Sequence, residues 1–172
     1  MEELKTTGKL LPIDTGVLGE LDRLIEECKQ APLALGDWAK LMEQPAELLP
    51  GLLELRGTLF FQDGRTADAA AAATKLRELG TATAGQLYNA ACVYSLSADT
   101  IKPAEGQELT AEHHRQRDEY IQDALDTLRE AIAAGWNDFD HMRQDPDLAA
   151  LRALPEFEAL LSESKSQKDA SK

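Results

Sequence analysis

Residues 87–98 read LYNAACVYSLSA, and residues 53–64, LELRGTLFFQDG, match them at a spacing of 34 residues. Three matched pairs carry this repeat: Leu53 with Leu87, Gly57 with Ala91, and Phe60 with Tyr94. The small residue lets a second helix approach closely, and the aromatic ring fills the space between successive units. Self-similarity at this period predicts a stack of helix pairs.

Helical patterns precede the repeat. Apolar residues at helical spacing predict the buried face of a first helix: Val17, Leu18, Leu21, Leu24, Ile25 and Cys28. Pro32 and Gly36 end this helix, and Asp37 is the expected N-cap of a short second helix. A third helix runs to Phe61, beginning either near Ala46 or near Pro50, where a first-turn proline is tolerated.

Three further helices follow. Thr66 is the expected N-cap of an Ala-rich fourth helix that stops at Gly80, and a fifth helix covers about residues 85–97. The polar residues 99–110 indicate a loop, after which Thr110 caps a long sixth helix. The small and apolar positions of the fourth helix are matched in the sixth: Ala69, Ala73 and Leu76 in the former, and Ala124, Leu128 and Ala131 in the latter. The second unit therefore carries about 21 extra residues, an insertion over 99–118.

The ends of the chain differ from its middle. Asp145-Pro146 and Leu154-Pro155 each predict the start of a short closing helix. Residues 163–172 are polar and lack large apolar side chains, so we expect a disordered tail there. Residues 1–14 carry weak signals and are interpreted as an arm. The helical repeat domain is then 15–162.

Composition narrows the classes of partner. The formal net charge is −13, which disfavours nucleic acid and anionic membrane surfaces as partners. The chain has no stretch of about 18 apolar residues, and because its first residues lack the apolar run of a signal peptide, we expect none. The two cysteines, Cys28 and Cys92, are interpreted as small apolar core residues, so a reducing cytoplasm is the expected location.

Histidines provide the only hint of catalytic or metal chemistry. Adjacent His113 and His114 point about 100° apart on a helix, and two ligands are too few for a zinc site. His141 has no acid or nucleophile placed beside it by the sequence. We therefore expect no enzyme, metal or cofactor. A small helical enzyme or metal-binding domain using these three histidines remains an alternative, as does a self-association module.

The stretch at 87–98 and the run GWNDFDHMRQDPDLAALRALPEFEALL at 135–161 resemble the tetratricopeptide repeat (TPR) family. They are similar to the terminal TPR-like region of bacterial multidomain proteins such as serine/threonine protein kinases. The resemblance covers 50–161 well, and 17–49 only loosely, as expected for a terminal unit. Kinase motifs are absent from the sequence. The implied fold is an all-α stack of antiparallel helix pairs, about seven or eight helices, with short capping helices.

The resemblance also implies a function. Such arrays bind a partner protein or peptide on a concave face, lined by the first helix of each unit, and we expect a monomer or weak homodimer. The implied groove residues are Glu54, Thr58, Phe61, Gln62, Tyr88, Asn89, Cys92 and Ser95. Asn89 has two interpretations, either binding a peptide backbone or tying adjacent helices together. Glu54 and Tyr88 stand where the family's carboxylate clamp uses cations, so this chain departs from that clamp.

Overall fold

The computed structural model describes residues 15–103 and 105–170, which form eight α-helices and one 3-10 helix. The α-helices are α1 (Thr15–Ala34), α2 (Trp38–Met42), α3 (Leu49–Gln62), α4 (Thr66–Glu78), α5 (Ala84–Thr100), α6 (Ala111–Ala133), α7 (Phe139–Gln144) and α8 (Pro155–Ala170). The 3-10 helix, Pro146–Leu148, follows α7. No strand occurs in these described ranges, which confirms the all-α prediction.

Helix α5 lies at the centre of the packing. It contacts α3, α4, α6 and the 3-10 helix, while α4 also packs against α3. One apolar core runs through these contacts, from Ala34 in α1 to Leu161 in α8. The long helix α6 supplies Ala124, Leu125 and Leu128 to this core, as its helical spacing predicts.

The residues that repeat at 34 positions are all buried. Leu53 and Leu87 are 0% and 8% exposed, and Phe60 and Tyr94 are 2% and 1% exposed. The two rings have different partners, since Arg65 lies over the Phe60 ring while the Tyr94 hydroxyl hydrogen-bonds Thr74. The repeated positions therefore lie in the core.

Several helix ends agree with the sequence and one does not. The side chains of Asp37, Thr110 and Asp145 accept hydrogen bonds from backbone N–H groups of the helices that they precede. Thr66 is the first residue of α4, and the N-cap position falls on Arg65, which makes no side-chain cap. The prediction of a Thr66 cap is therefore wrong, because the chain enters this helix one residue earlier.

The closing segment is more helical than expected. Helix α7, which the sequence analysis did not anticipate, begins after Asp138, whose side chain accepts a hydrogen bond from the His141 N–H. The start at Asp145 leads only into the short 3-10 helix. Helix α8 continues to Ala170, through most of the segment expected to be a disordered tail. The arm expected at 1–14 lies outside the described residues.

The buried face predicted for α1 is wrong at three positions. Leu24 and Ile25 are 44% and 52% exposed, and Cys28 is exposed, whereas Cys92 is buried as predicted. Helix α1 packs mainly on α3, and its C-terminal residue Ala34 is fully buried. Periodicity identified the apolar stripe of α1 but does not determine whether another element covers it. The side chains of residues 17, 18 and 21 lie outside the description.

Candidate binding groove

Two cavities adjoin on the face formed by α3 and α5. The larger has a volume of about 610 Å³ and extends from α3 and α5 to the closing segment. The smaller, of about 530 Å³, extends from the same two helices to α1. Thr58, Gln62 and Asn89 line both cavities. The two form one continuous depression, here named the α3–α5 groove.

Most of the groove residues implied by the sequence are brought together. Six of the eight line the larger cavity: Thr58, Phe61, Gln62, Tyr88, Asn89 and Cys92. Glu54 lines the smaller cavity instead. Ser95 is fully buried and lines neither, and its Oγ has no hydrogen-bond partner within the described chain. The helix face containing Ser95 is covered, so this residue does not contribute to the groove surface.

Asn89 forms a link between the two helices that line the groove. Its Nδ2 donates a hydrogen bond of 2.6 Å to Oε1 of Glu54 in α3. This is the helix-tying interpretation of Asn89. The bond leaves Asn89 Oδ1 without a hydrogen-bond partner among the described residues, on a side chain that is itself exposed in the groove.

Asp145 joins α5 to the closing segment. Its Oδ1 accepts the backbone N–H of Asp147 at 2.9 Å, which caps the 3-10 helix. Its Oδ2 accepts the Tyr88 hydroxyl at 2.6 Å, and the Cys92 thiol lies 3.8 Å from the same oxygen. His141 Nε2 is 3.3 Å away. The Asp145 carboxylate is buried, and its hydrogen-bond donors come from α5 and from the closing segment.

Tyr88 and Cys92 are held in their protonated forms. The Tyr88 ring stacks on Trp136, with centroids 4.0 Å apart and planes 7° from parallel. Burial, followed by the hydrogen bond to Asp145, raises the pKa of Tyr88. Burial also raises the pKa of Cys92, and the negative charge of Asp145 adds to the effect. A thiol that is disfavoured as a thiolate is a poor nucleophile, so Cys92 serves here as a donor.

The closing end of the groove has a negative electrostatic character. Asp145 and Asp147 line the larger cavity, and none of its lining residues within the described chain is Lys or Arg. Burial raises the pKa of Asp147, and the neighbouring carboxylate of Asp145 adds to the effect. Both charges come from a segment that the sequence analysis treated only as a helix start.

Three residues at this site were not predicted from the sequence: Trp136, Asp145 and Asp147. They lie about 40 to 60 positions beyond the α5 residues that they approach, and no repeat or spacing connects the two stretches. The Asp-Pro-Asp sequence predicts a helix cap, and Asp145 is one. The second oxygen of the same carboxylate makes the contact with α5, and sequence patterns carry no signal for that.

The other histidines lie away from the groove. His113 and His114 are exposed at the start of α6. Across residues 15–103 and 105–170, no group of three or more His, Cys, Asp or Glu side chains is arranged to hold a metal ion. None of the helices in this part of the chain combines the length and apolar character needed to cross a membrane.

A comparison of the chain with protein-family models, curated proteins and solved structures finds no match in any of the three.

Proposed function

We propose that this chain is a tetratricopeptide-like interaction module that binds an extended segment of a partner protein in the α3–α5 groove. The observation that carries the proposal is the continuity of the two cavities through Thr58, Gln62 and Asn89. In this proposal the module is the docking or regulatory part of a signalling protein, acts in the cytoplasm and carries out no reaction itself.

The chemistry of the groove centre suits a peptide backbone. The amide side chains of Gln62 and Asn89 can both donate and accept hydrogen bonds, as peptide groups do. Thr58, on the adjacent helix face, is exposed. Phe61 and Leu96 add partly buried apolar surface in the same cavity. Convergent polar groups within a concave, partly apolar surface are typical of a recognition site.

The experiment is a selection of random 12-residue peptides displayed on phage against the immobilised protein. Retained peptides are then synthesised and titrated against Thr58→Trp, which fills the point where the two cavities meet. Ala71→Trp is the matched control, because Ala71 is exposed on α4 and lines neither cavity. We expect Thr58→Trp to weaken binding by roughly tenfold or more, about 1.4 kcal/mol, and Ala71→Trp to leave it unchanged. Failure to enrich any peptide, or equal binding to both variants, contradicts the proposal.

One observation favours a second candidate, a small helical enzyme. His141 lies at the groove with Nε2 3.3 Å from Asp145 Oδ2, and a histidine beside a carboxylate is a common acid–base pair. The same carboxylate also binds Tyr88 and caps the 3-10 helix, which gives it a structural role. A turnover screen of the wild type and His141→Ala separates the two candidates. Turnover that the substitution abolishes supports the enzyme, while peptide binding without turnover supports the interaction module.

Self-association is favoured by exposed apolar side chains in the first part of the chain. Six of them are 40–52% exposed: Leu24, Ile25, Leu33, Leu35, Met42 and Leu48. Light scattering across a concentration series measures the oligomeric state directly. A dimer that survives dilution to micromolar concentration supports this candidate.

A further inference from the structure

The two carboxylates at the closing end of the α3–α5 groove, Asp145 and Asp147, differ in the hydrogen bonds that they accept. Asp145 accepts hydrogen bonds on both oxygens, from the Tyr88 hydroxyl and from the backbone of Asp147. The Asp147 side chain accepts no hydrogen bond within the described part of the chain, although it is half-buried and lines the larger cavity. A partly desolvated carboxylate without a partner destabilises the folded protein, and a cation bound beside it relieves that cost.

Arg152 lies beside the closing segment, where it donates to the backbone carbonyl oxygens of Gln144 and Asp145, but it does not line the cavity. The described residues that line the larger cavity include neither Lys nor Arg. His141 is the lining residue that gains a positive charge on protonation, and its Nε2 is positioned against Asp145. The chain as a whole is also acidic, with a formal charge of −13. Charge complementarity therefore favours a positively charged ligand group at Asp147.

The wall of the cavity suits a long aliphatic stem. Phe61, Val93 and Leu96 line it, and all three are half-buried. Lysine and arginine side chains pack their methylene groups along such apolar surface while the charged end reaches a polar partner. An unbranched apolar side chain would fit the wall equally well and would leave Asp147 unpaired.

We propose that the closing end of the groove receives a lysine or arginine side chain of the bound segment, with its cation at Asp147 and its stem against Phe61 and Leu96. The proposal rests on the proposed function for the source of this side chain. The partner segment is then a basic peptide, and Asp147 is the residue that selects it.

The test uses two probes that differ in charge and share a shape. Nα-acetyl-arginine amide and its neutral analogue Nα-acetyl-citrulline amide are titrated into the protein, and binding is followed by NMR. The reporter is the indole N–H signal of Trp136, whose ring stacks on Tyr88 beside the cavity. We expect saturable shifts with the arginine derivative, a similar response with the lysine derivative, and none with the citrulline derivative.

Two matched variants locate the cation. Asp147→Asn keeps the size of the side chain and removes its charge, and we expect it to weaken binding of the arginine derivative about fivefold or more. Asp140→Asn makes the same change on the same segment at a side chain that is 90% exposed and paired with Arg143 at 3.5 Å. We expect this control to bind as the wild type does.

Three results overturn the proposal: equal binding of the citrulline derivative, equal binding by Asp147→Asn and the wild type, or groove signals that change on dilution of the protein alone. The last result assigns the groove to a second copy of this chain. Peptides that bind the groove without a basic residue contradict only the cation site. Arginine that binds at Asp147 without any retained peptide contradicts only the peptide-binding module.

Discussion

Helices α3 and α5 carry matched residues 34 positions apart, yet the same helix face has different neighbours in the two units. At one matched pair, Glu54 is partly exposed while Tyr88 is 2% exposed. At another, Phe61 is partly exposed while Ser95 is fully buried. The closing segment reaches this face of α5 at Tyr88, whose hydroxyl donates to Asp145, so we call this face covered. The same face of α3 stays partly exposed at Glu54 and Phe61, and we call it open. A sequence repeat therefore predicts which positions face the neighbouring helices, and the neighbours decide how much surface remains open.

The difference also explains the residue types. On the open face, Glu54 keeps its charge near solvent and bonds a single amide, that of Asn89. On the covered face, Tyr88 presents a neutral hydroxyl that a buried carboxylate accepts. Burying a charge at the second place without a partner would be costly, whereas a hydrogen-bonded hydroxyl is tolerated. The residue types at the two matched positions therefore follow the difference in their burial.

The largest expected effect concerns Arg56, whose counterpart in α5 is Ala90. Arg56 is 5% exposed and donates to the carbonyl oxygens of Ala34 and Gly36 at 2.5 and 2.8 Å. These bonds attach the end of α1 to α3. Ala90, at the matching position in α5, has no side-chain donor and makes no such bond. Arg56→Ala leaves both carbonyl groups without this donor, and we expect it to lower the free energy of unfolding by about 3 kcal/mol. Urea denaturation followed by circular dichroism measures the loss.

Arg65 provides the control for Arg56. Both guanidinium groups lie over the Phe60 ring, at 4.7 and 4.0 Å from its centroid, but Arg65 is exposed. An exposed cation–π contact contributes about 0.5–1 kcal/mol, so we expect Arg65→Ala to be much milder. Equal losses for the two variants would show that the carbonyl bonds of Arg56 contribute little.

The next prediction uses Cys92, whose counterpart Thr58 lies on the open face of α3. Burial raises the pKa of the Cys92 thiol, so the folded protein holds this proton more tightly than the unfolded chain does. An unfolded thiol titrates near pH 8.5. Stability decreases with pH wherever the native state binds more protons. The contribution of Cys92 to the free energy of unfolding is therefore fully present below about pH 8.5. Above that pH, it decreases by up to about 1.4 kcal/mol per pH unit.

Urea denaturation at intervals between pH 8 and pH 10 measures this slope. We expect Cys92→Ala to make the slope shallower, whatever its effect on stability at neutral pH. Cys28→Ala is the control, because Cys28 is exposed on α1, and it should change the slope less. A slope that is identical in the wild type and Cys92→Ala would show that the thiol is not held protonated by the fold.

These matched positions show how far sequence reasoning reaches. Repeat spacing and helical periodicity identify the core, because residues such as Leu53 and Leu87 are buried by the adjacent helices of their own units. The same periodicity predicts burial of Cys28, which is exposed, because a periodic pattern identifies an apolar helix face and does not determine whether another element packs on it. The hydrogen bond from Tyr88 to Asp145 joins residues 57 positions apart, and its formation depends on how the closing segment folds back over α5. Spacing arguments carry no information about such contacts.

The smallest expected effect is that of Gly57→Ala, at one of the two small residues, Gly57 and Ala91, that allow the helices to approach each other. A methyl group at Gly57 would lie 3.6 Å from the Ala69 carbonyl oxygen and 3.8 Å from side-chain atoms of Ala72 and Val93, which are ordinary contact distances. Alanine therefore fits at this place, as it already does at Ala91, which is fully buried. Glycine is worse than alanine inside a helix by about 1 kcal/mol. We expect Gly57→Ala to raise the free energy of unfolding by up to that amount.

Two further variants decide whether small size or close contact is what this position requires. Ala91→Gly makes the reverse change in α5 and should lower stability by about 1 kcal/mol or more, since it also removes a buried methyl group. Gly57→Val adds two more carbons where the first already meets its neighbours, so overpacking should cost about 1–3 kcal/mol. Urea denaturation of all three variants gives the comparison. If Gly57→Ala is destabilising, this position does not tolerate even a methyl group, and it is not equivalent to Ala91 in the second unit.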